Sequence, residues 1–273
     1  MFSNKSLMLV LLAATIVSSF KLFDEDLKAV EEILLTSQVL RALGFNESMT
    51  NIEIVNKTVR IIDKNALIGF PNLERFYFSD PKLFEVRTRA FDQTPSLKTL
   101  IITKCYLNTI VESMFLGLDA LQELDLTKNN ISTLGTNVFA PFQSLRKLTL
   151  AQNLIEKIDE KTFEGLLNLR ELDLSNNAIK VIRAKTFFGF SLDSLRMNSN
   201  QVGRVFDNGF ANFCAKNITF LGNPIDDNLH YIFNGTCKFI EVNLNLVNHS
   251  YTVPSLFDFY MTHEIEPKNL LLE

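Results

Sequence analysis

Four stretches of this chain, beginning at Leu97, Leu121, Leu145 and Leu169, read LKTLIITKCYLNTI, LQELDLTKNNISTL, LRKLTLAQNLIEKI and LRELDLSNNAIKVI. They share the spacing LxxLxLxx(N/C)xLxx(I/L), and five residues after each comes a phenylalanine: Phe115, Phe139, Phe163 and Phe187. Successive starts are 24 residues apart. A unit this short cannot bury its own apolar face. Stacking each unit on the next closes a continuous core, so the pattern specifies a solenoid.

The ladder runs on in both directions. Leu73 opens LERFYFSDPKLFEV with Phe91 in the aromatic slot, and Met49 opens MTNIEIVNKTVRII with Leu67 there. Forwards, Leu192 opens LDSLRMNSNQVGRV with Phe210, and a partial unit, AKNITFLGNPI, starts at Ala215. About eight units therefore occupy 49–225.

Each slot has a physical role. The LxL piece predicts a short strand whose leucines point inward and whose intervening residues point outward. Stacked coils then place these strands in one parallel sheet. The Asn slot (Asn129, Asn153, Asn177, Asn200, Asn223) falls where the chain leaves the strand. A buried amide there can pair backbone groups that would otherwise lack partners. The Phe slot fills the far side of the core, which helps explain a chain with 24 Phe and no Trp. Lys57, Pro81 and Cys105 stand in the Asn slot of the first three units. Lys has no acceptor and Pro no polar side chain, so the N-terminal third should be less regular. Cys105 reads as a buried structural thiol, with a reactive or intermolecular cysteine as the alternative.

The ends speak to compartment. Residues 1–19 place one lysine before an apolar run from Leu7 to Val17 and then Ser18 and Ser19, the layout of a secretory signal peptide. An uncleaved anchor is the alternative, but the run is short for a membrane span. Within 20–48, Asp24 is positioned as an N-cap, Leu27, Val30 and Leu34 form an apolar stripe, and Gly44 follows. This predicts an amphipathic helix capping the first coil, with an oligomerising or partner-binding helix as the alternative. Residues 226–273 read as a C-terminal cap and tail. A secreted chain would expose its Asn-x-Ser/Thr sequons, here Asn46, Asn56, Asn130, Asn217, Asn234 and Asn248, to glycosylation. Asn130 should lie on an exposed turn and Asn217 should project from the sheet.

The units resemble the typical 24-residue leucine-rich repeats of animal extracellular proteins, most clearly from Leu121 to Phe187. The resemblance implies an α/β solenoid: a horseshoe with the parallel sheet on its concave face. Gly222-Asn223-Pro224 followed by Cys237 is similar to a reduced form of the family's cysteine-flanked C-terminal cap, and implies a Cys214–Cys237 disulfide. That cap usually carries more cysteines, and the family's cysteine-rich N-terminal cap is absent here. Cys105 is left over as a possible intermolecular link. The layout is similar to short secreted invertebrate repeat proteins, some of which act in innate immunity.

The register assigns outward positions on the strands. Those forming the candidate partner-binding surface are Arg75, Tyr77, Thr99, Ile101, Glu123, Asp125, Lys147, Thr149, Glu171, Asp173 and Arg196. Glu123, Lys147 and Glu171 form a charge-alternating rung, read either as a solvated salt ladder or as a recognition stripe. Tyr77 and Ile101 read as an apolar hot spot on a polar face, with ordinary isolated exposure as the alternative. Catalysis finds little support: the Glu123/Asp125 and Glu171/Asp173 pairs are separated by Lys147, and nothing predicts an enclosed site to tune a carboxylate. His230 with Asp226 and Asp227 matches no metal-ligand spacing, so no metal or cofactor is expected. A net charge of −4 does not nominate nucleic acid. The sequence thus predicts a secreted, non-enzymatic protein that binds an extracellular protein or glycan through its concave face. The alternative is a structural or adhesive protein that self-associates through Cys105 or the N-terminal helix.

Overall fold

The computed structural model describes residues 19–22, 34–55, 59–206, 209–210, 212–224 and 241–243. Ten strands form one parallel sheet in chain order: β1 (Ser19–Leu22), β2 (Asn51–Val55), β3 (Arg75–Ser79), β4 (Thr99–Ile102), β5 (Glu123–Asp125), β6 (Lys147–Thr149), β7 (Glu171–Asp173), β8 (Ser191–Arg196), β9 (Cys214–Thr219) and β10 (Glu241–Asn243). The register is the one the period dictates, with Leu124, Leu148, Leu172 and Leu195 side by side. Each is fully or almost fully buried, while the residues on either side face outward.

The turn out of each strand is sharp. Lys104, Lys128, Gln152, Asn176 and Ser199 all adopt positive φ, between 53° and 58°. These are left-handed positions taken by residues other than glycine, a conformation that the surrounding coil must hold in place. The Asn slot that follows does so. Asn153 donates through Nδ2 to Leu126 O (2.9 Å) and Leu150 O (3.0 Å), and its Oδ1 accepts from Ile131 N (3.1 Å). Asn177, Asn200 and Asn223 repeat this set in the next coils. Each amide thus ties its own turn to the coil before it, as the slot predicts.

The irregular slots fall back on lesser devices. Pro81 is exposed, and the buried Asp80 beside it accepts from Lys82 N at 2.8 Å. Cys105 donates its thiol proton to Thr103 O at 3.2 Å, the position of carbonyl that the asparagines also touch. Asn129, the first asparagine, still donates to Ile102 O and Leu126 O, but its buried Oδ1 has no partner. Lys57 lies outside the described residues.

On the far side the Phe slot forms a spine. Ring centroids are 5.8 Å apart for Phe139–Phe163, 6.1 Å for Phe163–Phe187 and 5.0 Å for Phe187–Phe210, each pair within 20° of parallel. Burying one such ring is worth roughly 1.5–3 kcal/mol. The turns beside it are tight: at Gly165, φ is +95° and a Cβ would lie 3.1 Å from the Ala140 backbone.

The N-terminal segment departs from expectation. Of the helix expected along 24–43, the described residues hold α1 (Ser37–Ala42), capped by Thr36, whose hydroxyl accepts from Val39 N at 3.2 Å. Leu34 and Leu35, expected on that helix, instead form a short strand paired with Ile61–Ile62. The open edge of the first coil offers unpaired backbone groups, and pairing with them outweighs local helix propensity. Ser19, the last residue of the expected leader, opens β1 and pairs with Asn51. Asp24, Leu27 and Val30, and the rest of the expected leader, lie outside the described residues.

Candidate functional site: the concave sheet

The outward residues of the sheet form two rows crossing its strands. One runs Asn51, Arg75, Thr99, Glu123, Lys147, Glu171, Ser194, Asn217; the other runs Glu53, Tyr77, Ile101, Asp125, Thr149, Asp173, Arg196, Thr219. Parallel pairing at about 4.8 Å per strand brings neighbours within a row into lateral contact. All eleven positions of the candidate surface therefore lie in these rows.

The charges are partly spent on one another. Lys147 Nζ lies 2.9 Å from Glu123 Oε1. The hydrogen bond to Glu123 raises the lysine pKa, ahead of the opposing desolvation and of the fields of Glu123, Glu171 and Asp125. The lysine side chain is 44 % exposed, so water screens the pair. Arg196 approaches Asp173 only to 3.8 Å. Asp125 and Asp173 also hold the backbone: each accepts through Oδ1 from the amide two residues on, Thr127 N (2.8 Å) and Ser175 N (2.9 Å). These carboxylates fasten the strand end, leaving them less free to meet a partner.

The expected Tyr77/Ile101 hot spot is corrected. Ile101 has the outward register, yet it is only 7 % exposed. It sits between Tyr77 and Asp125 in its row, and on a concave sheet the outward side chains converge and cover one another. Tyr77 itself is half-buried, whereas Arg75 is exposed and makes no ion pair among the described residues. The accessible patch is therefore Arg75 with the edge of Tyr77, flanked by the half-buried Thr99.

Cys105 is 4 % exposed, and burial pushes its thiol up to about 12, ahead of the Asp80 contributions. The proposed intermolecular link through this sulfur does not fit that burial. The thiol would have to leave the core and lose its proton against a raised pKa. Cys214 is disulfide-bonded, and Cys237 lies outside the described residues. So do Asn56, Asn234, Asn248, His230, Asp226 and Asp227. Asn46 is exposed, Asn130 half-buried on a turn, and Asn217 half-buried on β9 within the outward row.

Sequence reasoning overlooked two apolar features away from the sheet. Leu167 (87 % exposed) and Phe188 border a cleft of about 730 Å³ on the convex side. Phe84, Tyr106 and Leu154 are exposed on the flank where the chain leaves the sheet. A signal existed: the column Lys82, Tyr106, Asn130, Leu154, Ala178, Gln201, read across units, shows large apolar residues in a slot that polar ones also fill.

Comparison with known proteins agrees with this geometry. The leucine rich repeat family model matches residues 95–155 and 143–202. No curated protein matches the chain. Among solved structures, the chain is similar to one in the Toll–Spatzle complex of Drosophila, described as a hub in development and innate immunity. The TM-score is 0.65 at 15 % identity over 84 % of this chain, which spans 30 % of the length of that one. At that identity the likeness speaks to fold: a leucine-rich repeat horseshoe.

Proposed function

We propose that this leucine-rich repeat solenoid is a secreted, non-enzymatic recognition protein that binds an extracellular protein across its concave sheet, in the setting of innate immunity. The observation that carries this is the division of labour on the sheet. Inward leucines and the asparagine ladder hold the fold, while Arg75 and the edge of Tyr77 stay accessible, Arg75 without an ion pair among the described residues. Arg and Tyr are the residue types that most often anchor protein interfaces. A solved complex of similar fold, the Toll–Spatzle complex, supports a protein partner, with a glycan as the other ligand class. The rest of the reading is a leader over 1–19, repeats over 49–225, a cap over 226–273 held by a Cys214–Cys237 bridge, and glycans on the sequons. Self-association through Cys105 is disfavoured by its burial.

The test is capture of partners from the source fluid on the immobilised secreted protein, with mass spectrometry, followed by affinity measurement. The double variant Arg75→Glu/Tyr77→Ser should weaken binding at least about tenfold, a loss of roughly 1.4 kcal/mol, with the native circular dichroism spectrum retained. Ile101→Asp should unfold the protein instead of acting on binding alone. Unaltered affinity in the double variant would remove the site from this patch.

A further inference from the structure

We propose that Asn130 carries an N-linked glycan whose first sugar seats on the exposed apolar strip of the flank, closing that flank to partners. The inference rests on the secretory reading above. Backbone bonds Tyr106 N→Leu83 O, Asn130 N→Leu107 O and Leu154 N→Ile131 O stack Tyr106, Asn130 and Leu154 in successive coils. Tyr106 is 55 % and Leu154 53 % exposed, and Asn130 stands between them. Phe84, two residues along from this column in the coil before, is 48 % exposed. Large apolar groups brought together on a water-facing flank call for a cover. Here the interrupting residue is itself an acceptor: Asn130-Ile131-Ser132 is a sequon, with Ile131 buried in the core and Ser132 exposed.

The chemistry closes without strain on the coil. The Asn130 amide nitrogen attacks the anomeric carbon of a lipid-diphosphate-linked oligosaccharide. A carbon–nitrogen bond forms, the carbon–oxygen bond breaks with its electron pair on the departing lipid diphosphate, and the nitrogen gives up one proton. The backbone N–H of Asn130 stays in the ladder, since only the side chain is used. Adjacent coils lie about 4.8 Å apart, so the first sugar emerges between a tyrosine and a leucine. The carbon–hydrogen face of a pyranose and its acetyl methyl match such apolar walls, and the tyrosine hydroxyl is left for water.

The experiment uses the full chain expressed through a glycosylating secretory pathway, with site occupancy read by glycopeptide mass spectrometry. One portion is trimmed by an endoglycosidase that leaves a single N-acetylglucosamine; another is stripped by an amidase. Occupied Asn130 is expected. The trimmed protein should keep its melting temperature, and the stripped protein and Asn130→Gln should melt about 2–4 °C lower and bind more hydrophobic dye. In a Tyr106→Ser/Leu154→Ser background the trimmed and stripped forms should melt together. Occupancy at other sequons with Asn130 bare would overturn the inference alone. So would trimmed and stripped forms that behave alike in the parent chain. Bare sequons throughout would overturn the secretory reading and this inference with it.

Discussion

Asn153→Ala tests the central structural claim, because the cost can be worked from its partners and compared with a natural control. Asn153 is 5 % exposed and joins three backbone groups: Leu126 O, Leu150 O and Ile131 N. Removing the amide strands the Ile131 N–H, while Leu126 O and Leu150 O keep the Asn129 and Asn177 donors. A typical net loss of about 1 kcal/mol per hydrogen bond gives about 3 kcal/mol, and the penalty for the stranded N–H moves the figure towards about 4. Asn129→Ala is the control. Asn129 makes the same two donations, at 2.8 and 2.9 Å, but its Oδ1 already lacks a partner. Its loss should therefore cost about 1 kcal/mol less. The assay is urea denaturation of the secreted protein and both variants, followed by far-UV circular dichroism, with the slopes checked for loss of cooperativity because solenoids can unfold in parts. Equal costs for the two variants, or a cost below about 1 kcal/mol for Asn153→Ala, would refute the view that the asparagine ladder closes the coils.

Other expectations follow from the same contacts. Cys105 should resist alkylation at pH 8 in the native protein and react only on unfolding, as read by mass spectrometry with and without urea. Its thiol, raised from 9.0 to about 12 in the fold, stabilises fully below the unfolded value; that contribution fades as pH climbs from 9 through 12, so alkaline melts should fall accordingly. Phe187→Ala should cost about 3–5 kcal/mol in chemical denaturation, because its ring packs against both Phe163 and Phe210. Lys147→Ala should cost less than about 1 kcal/mol, its bridge to Glu123 being substantially exposed, and added salt should shrink the difference.

The period made the sheet, its register, the Asn slot and the Phe spine legible, because each is a local rule repeated by stacking. The Lys147–Glu123 bridge was legible for the same reason: one period apart in sequence means adjacent in space. Alternation says which way Ile101 points but not how far its neighbours on a curved sheet close over it, and it is 7 % exposed between Tyr77 and Asp125. At Leu34 and Leu35 the helical reading misled, because apolar residues there serve a helix or a strand pair equally well, and the free edge at Ile61–Ile62 decided between them. The strand-end role of Asp125 and Asp173 was present in the sequence as Asp-Leu-Thr and Asp-Leu-Ser, an acceptor two residues before the amide it receives.

Most polar groups of this surface are committed to the fold or to one another. The buried asparagines serve the backbone, and Asp125 and Asp173 fasten strand ends. Glu123 and Lys147 answer each other in the screened open. None of these is held in a dry enclosure of the kind that drives an opposed pair of acids apart in pKa. The groups left uncommitted are on the outward row at Arg75 and on the flank at Tyr106 and Leu154. A partner that meets the first asks nothing of the interior. Neither does a sugar that covers the second. Recognition can therefore change by exchanging outer residues while the leucine and asparagine ladders, and hence the fold, stay as they are.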